Sequence, residues 1–123
     1  MKRLATAGLF GALIAGVSVT TYGATLFTPP LPGGGAPVFC QALNATATPR
    51  NVTITIFDAN AHTVNTTTCA NLDGFHACTL GVPGAFVSPH SCRIDFDGPK
   101  ATVRGSIVRA DSDGFPAVAL PAE

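Results

Sequence analysis

Two cysteines bracket an Asp-Gly pair in the stretch Cys69-Ala-Asn-Leu-Asp-Gly-Phe-His-Ala-Cys78, and this restricts the fold more than any other feature of the chain. A two-residue type I′ hairpin needs positive φ at both central positions, which Asp and Gly tolerate. A turn centred on Asp73-Gly74 sets Leu72 opposite Phe75, Asn71 opposite His76, Ala70 opposite Ala77 and Cys69 opposite Cys78. Directly opposed residues at a non-hydrogen-bonded position lie close enough for a disulfide. Cys40 and Cys92 are then left to pair with each other. Four cysteines allow three pairings, and the hairpin register selects this one.

Disulfides belong to oxidising compartments, and the N-terminus carries a matching address. Lys2 and Arg3 precede an uncharged, mostly apolar run, Leu4 to Val19, which is the pattern of a secretory signal peptide and is too short and Gly-rich for a membrane span. Cleavage is expected after Gly23 or Ala24, leaving a secreted or periplasmic protein with no membrane contact. No Cys lies near the end of the apolar run, which argues against a lipid anchor. Of 7 Lys and Arg, 2 leave with the leader, so 5 face 7 Asp and Glu and the mature chain carries about −2. Without a basic patch interleaved with aromatics, nucleic acid is not an expected partner. The short Ala/Gly-rich leader suits a bacterium, so the Asn-x-Thr triplets at Asn44, Asn51 and Asn65 are read as by-products of a Thr-rich chain.

Residues 25–37 (TLFTPPLPGGGAP) read as a Pro/Gly-rich extended lead-in, with a short edge strand at Thr25 to Phe27 as the rival reading. The domain proper is expected over residues 38–123. Val38 to Thr46 alternates Val38, Cys40 and Ala42 on one face. In Asn51 to Asp58, Val52, Ile54 and Ile56 alternate with Thr53, Thr55 and Phe57. A turn over Asp58 to Ala61 leads into a polar, β-branched strand, His62 to Cys69, suited to a sheet edge. Ser91 to Asp97 directs Cys92, Ile94 and Phe96 inward, and a hairpin at Gly98-Pro99 sets them against Gly105, Val103 and Ala101. A turn at Asp111 to Gly114 and an edge strand from Phe115 to Leu120 end the chain. Short strands at such intervals, with no amphipathic helical window after the leader, predict an all-β fold: a small antiparallel β-sandwich with two disulfides.

The order of a Cys-bearing strand (VFCQALN), a Thr/Val/Ile strand with its turn (NVTITIFDANAHTV) and a second Cys strand leading to an Arg-bearing one (SCRIDFDGPKATVRGSI) resembles small exported bacterial proteins with an immunoglobulin-like β-sandwich and no assigned activity. The likeness covers about Val38 to Val108. The Trp that immunoglobulin domains pack on their core disulfide is absent, and the resemblance implies no functional residues.

Three kinds of chemistry compete for the remaining residues. His76-Ala-Cys78 and His90-Ser-Cys92 together hold a Cys2His2 set for zinc, but a disulfide sulfur is not a thiolate ligand. Asp95, Asp97, Asp111 and Asp113 lie in two Asp-x-Asp-Gly segments that offer oxygen ligands to Ca²⁺, although Asp and Gly are also ordinary turn residues. No Gly-x-Ser-x-Gly elbow occurs, and nothing pairs His62, His76 or His90 with a nucleophile and an orienting acid. The expectation is an exported, non-catalytic structural or interaction module with no cofactor. It would meet a protein partner at the open edges near His62 to Thr68 and Phe115 to Leu120. A Ca²⁺-binding module is the alternative. An exported hydrolase, recognisable by an open cleft holding His with Ser or an acid, is the third.

Overall fold

The computed structural model describes residues 23–32, 34–83, 88–110 and 116–123 of the chain. It is an antiparallel β-sandwich of two four-stranded sheets. The strands are β1 (Gly23–Phe27), β2 (Val38–Asn44), β3 (Arg50–Phe57), β4 (Thr63–Leu72), β5 (Ala77–Val82), β6 (Ser91–Asp97), β7 (Val103–Ala110) and β8 (Pro116–Pro121). One sheet has the order β1-β6-β3-β4 and the other β5-β2-β7-β8. Two packed antiparallel sheets are an architecture that immunoglobulin domains also have.

Period-two alternation builds the core as expected. Val38, Cys40 and Ala42 on β2, Val52, Ile54 and Ile56 on β3, and Cys92, Ile94 and Phe96 on β6 all point between the sheets and are buried. Gly105 on β7 faces inward too, and a Cβ there would collide with the Ile94 side chain from the opposite sheet, so the missing side chain makes room for a neighbour.

The lead-in is corrected in part. Thr25 to Phe27 is not a free arm: β1 pairs along its length with β6, and Leu26 and Leu31 are buried. Leu31 exchanges backbone hydrogen bonds with His90 in both directions, at 2.8 and 3.0 Å. The prolines do not prevent this, because Thr25 to Phe27 precede the first of them and Leu31 keeps its own N–H between two others. The leader as far as Tyr22 lies outside the described residues. Cleavage after Gly23 or Ala24 would remove one or two residues that pair with Asp97 and Phe96.

Both cysteine pairs are those expected, but the Asp73-Gly74 hairpin that argued for them does not exist, and neither does the hairpin expected at Gly98-Pro99. Cys69 sits on β4 and Cys78 on β5, in opposite sheets. The segment between them is an arch from one sheet to the other. Gly74 is not left-handed; positive φ falls instead on Asn71 (52°) and Phe75 (63°). A type I′ turn on Asp73-Gly74 is therefore not formed. Gly74 serves a close approach, since a Cβ would stand 2.5 Å from the Thr46 carbonyl oxygen and 2.7 Å from the Ala47 Cα. Likewise β6 and β7, joined through Gly98-Pro99 and a 3-10 turn at Lys100–Thr102, are not paired: β6 lies between β1 and β3, and β7 between β2 and β8. Only the β3–β4 and β7–β8 connections stay within a sheet.

Both disulfides therefore join the two sheets. Cys40–Cys92 links the central strands β2 and β6 across the core, with a Cα separation of 6.2 Å. Cys69–Cys78 links the edge strands β4 and β5, at 6.1 Å. On that edge the Asn65 side-chain amide also donates to the Gly81 carbonyl at 3.1 Å. At the opposite edge Phe27 and Glu123 exchange two backbone hydrogen bonds of 2.9 Å. Each pair of facing edges is thus tied.

Candidate functional site

The residues singled out for chemistry are scattered. Cys78 and Cys92 belong to different disulfides, and no cysteine among the described residues is a free thiol. His76 is exposed at the β4–β5 arch, whereas His90 is buried beside Leu31. Asp95 and Asp97 project from the outer face of β6, and their oxygens are engaged within the protein. Asp95 accepts from the Thr25 hydroxyl (2.7 Å) and from Arg93 Nε (2.9 Å). Asp97 accepts from the Asn51 backbone N–H (2.8 Å) and side-chain amide (3.1 Å). A Ca²⁺ ion would have to displace these donors. Asp111 and Asp113 lie outside the described residues.

The asparagines of the three Asn-x-Thr triplets all hold structure. Asn44 is fully buried; its side-chain amide donates to the carbonyls of Thr48 (2.8 Å) and Leu72 (3.0 Å), and its Oδ1 accepts from the Thr46 backbone N–H (3.0 Å) and hydroxyl (2.8 Å). Asn51 accepts the Asn71 N–H at 2.9 Å, and Asn65 accepts the Thr66 N–H at 3.0 Å. A glycan on Asn44 is incompatible with this packing.

The structure does gather a site that the sequence argument did not assemble. A solvent-open cleft of about 510 Å³, within the usual ligand-pocket range, opens at one end of the β1-β6-β3-β4 sheet. Its walls are the rings of Phe27 and Phe57, with Pro30 and Pro89, and its polar groups are Asp58, His90 and Ser91. Phe27 is 58% exposed. Both phenylalanines hold the outward phase of their strands, opposite to the core positions, and that phase is the one sequence signal that pointed here.

Asp58 opens the β3–β4 turn. Its Oδ1 accepts the backbone N–H groups of Asn60 and His62, each at 2.9 Å. These donors, His62 first, hold its carboxyl below the ordinary range against an opposing desolvation effect, and the imidazoles of His62 and His90 add to the lowering. Oδ2 faces His62 Nδ1 at 3.6 Å, longer than a good hydrogen bond. On the same outer face, Arg93 is the cross-strand partner of Phe27; its guanidinium lies 5.4 Å from the centre of the Phe57 ring and is ion-paired to Asp95 at 2.9 Å.

A cleft with His, Ser and an acid is the arrangement that would mark a hydrolase, so its geometry decides what it can do. His90 and Ser91 are consecutive in extended chain. His90 follows the inward phase of Cys92 and Ile94, and Ser91 follows the outward phase of Arg93, so the imidazole and hydroxyl project to opposite faces. A base activating that hydroxyl needs it within hydrogen-bond reach.

No protein-family model matches the chain, and no curated protein sequence matches it. Solved structures are similar in fold alone. Thermotoga maritima 1070 superposes with a TM-score of 0.55 at 13% identity, covering 85% of this chain and 96% of that one. The infectious bursal disease virus Gx strain structure gives 0.42 at 12% identity, over 84% of this chain and 30% of that one. A glycoside hydrolase family 32 protein of Bifidobacterium adolescentis gives 0.41 at 14%, over 74% and 14%. The first shows the fold shared over 85% of this chain. Two disulfides fit an oxidising, extracytoplasmic environment, and among the described residues no helix is long and apolar enough to cross a membrane.

Proposed function

We propose that this chain is an exported, non-catalytic β-sandwich module with a structural or protein-interaction role, carried by a bacterial signal peptide to a secreted or periplasmic address. The observation that supports it is the use made of the reactive side chains: all four sulfurs bolt one sheet to the other, and the cleft that holds His, Ser and an acid turns the first two apart. Strand addition at β4 and β8 is less attractive than their edge positions suggest, because β4 is tied to β5 and the residues after β8 are tied to β1. The exposed apolar cleft is the surface we assign to a partner.

Fractionation of a producing cell tests both halves. The leaderless, fully oxidised mass is expected outside the cytoplasm, and the purified protein is expected to leave ester, amide and glycoside substrates intact. Ester or glycoside hydrolysis that disappears in Ser91→Ala would overturn the non-catalytic reading.

A further inference from the structure

Resting on that interaction reading, we propose that the cleft between Phe27, Phe57 and Asp58 binds an organic ammonium group carried on an apolar body. Shape and charge point the same way. The walls are two phenylalanine rings and two prolines, and the bowl is large enough for a ring or a short aliphatic chain. The formal negative charge on the cleft lining is the Asp58 carboxylate, with 28% of its side chain exposed. Its Oδ1 is spent on the turn, which locks the carboxylate in place, while Oδ2 has no short hydrogen bond among the described residues. A fixed acceptor at the rim of an aromatic bowl suits a cation, because ring faces attract positive charge and an apolar body gains from leaving water. The Phe57 ring already takes a cation on one side: Arg93 lies over it, its own charge offset by Asp95. The Ser91 hydroxyl at the cleft wall is a second acceptor. An anionic ligand would meet Asp58 with like charge.

The interaction reading makes the source a lysine side chain of a protein partner, and a free amine is the rival outcome that the experiment separates. Isotope-labelled, oxidised protein is titrated with 2-phenylethylamine, with uncharged 2-phenylethanol, with phenylacetate and with an end-blocked lysine peptide, and amide shifts are mapped. The amine is expected to move Phe27, Phe57, Asp58 and Ser91, and the alcohol to bind about fivefold more weakly, the measure of a partly exposed charge contact. In Asp58→Asn, whose amide oxygen still closes the turn, amine and alcohol should bind alike. Phe27→Ser, at a 58% exposed position whose hydrogen bonds to Glu123 are made by the backbone, should weaken both by roughly tenfold. Matching shifts from the peptide assign the ammonium to a protein lysine, and shifts from the amine alone assign it to a small molecule. The site is overturned if the alcohol or phenylacetate binds as tightly as the amine, if Asp58→Asn keeps the preference, or if the shifts lie elsewhere. Turnover of the bound amine would instead leave the site standing and defeat the non-catalytic reading.

Discussion

Two reversals of the chain begin with the same residue type, at Asp58 and Asp73, and end differently. At the β3–β4 turn the Asp58 carboxylate gathers the N–H groups of Asn60 and His62, the Asp58 N–H donates to the His62 carbonyl at 3.0 Å, and the chain returns into its own sheet. At the β4–β5 arch one local bond, from the His76 N–H to the Asp73 carbonyl at 3.2 Å, is joined by groups from elsewhere. The Phe75 N–H donates to the Asn44 carbonyl at 2.8 Å, the Asn44 N–H donates to the His76 carbonyl at 3.0 Å, and the Asn44 side chain holds Leu72. The first reversal is a local device, whereas the second is docked on β2. An Asp-Gly pair therefore marks where the chain turns, and distant backbone decides which sheet it enters next.

That contrast can be broken most sharply at Asn44. Asn44→Ala removes a fully buried side chain and its bonds to the Leu72 and Thr48 carbonyls and to Thr46, and should cost about 3 kcal/mol in chemical denaturation. It should also raise amide exchange across the β4–β5 arch while sparing the β3–β4 turn; equal loss at both would remove the distinction. Next in size, Cys69→Ala with Cys78→Ala opens a loop of sequence separation 9 and should cost about 2.5 kcal/mol on the chain-entropy account. The effect should be confined to the β4–β5 edge, because Cys40–Cys92 still holds the sheets together.

Smaller effects sharpen the comparison. Ala61 in the hairpin and Phe75 in the arch both carry left-handed backbone, with φ of 66° and 63°, and Phe75 is 67% exposed. Ala61→Gly and Phe75→Gly should each raise stability by about 0.5–1 kcal/mol, since glycine relieves the steric cost and little burial is lost. A loss at either position would show that its side chain contributes more than the strain it causes. The least effect is expected from acid. Asp58 has its carboxyl lowered from 3.8 in the folded state, so its contribution is present above that value and is lost as pH falls through the folded-state value. The His62 amide resonance should follow that midpoint, the arch should not respond, and Asp58→Asn should abolish the step.

Much of the building material was legible residue by residue. Val52, Ile54 and Ile56, like Cys92, Ile94 and Phe96, announce their inward phase through strict alternation, and the turn at Asp58 to Ala61 through its composition. The cleft was not legible, because Phe27, Phe57 and Pro89 are far apart in sequence and only the β1-β6-β3 neighbourhood brings them together. Asn44 looked like one member of a Thr-rich stretch. Its role depends on carbonyls 28 residues away, which no local pattern encodes.

By itself the sequence determined which core segments are extended and which side chains face inward; it named the right cysteine pairs through a hairpin that does not form. Only the tertiary structure decided which strands are neighbours within a sheet and which face each other across the core. The reason is that alternation is a property of one strand. Cys69 opposite Cys78, or Ile94 opposite Val103, satisfies inward-facing chemistry equally well through a ladder of hydrogen bonds or through the gap between two sheets. The choice falls to contacts made at a distance: the Asn44 carbonyl receiving Phe75, and β3 filling the place beside β6 that β7 was expected to take.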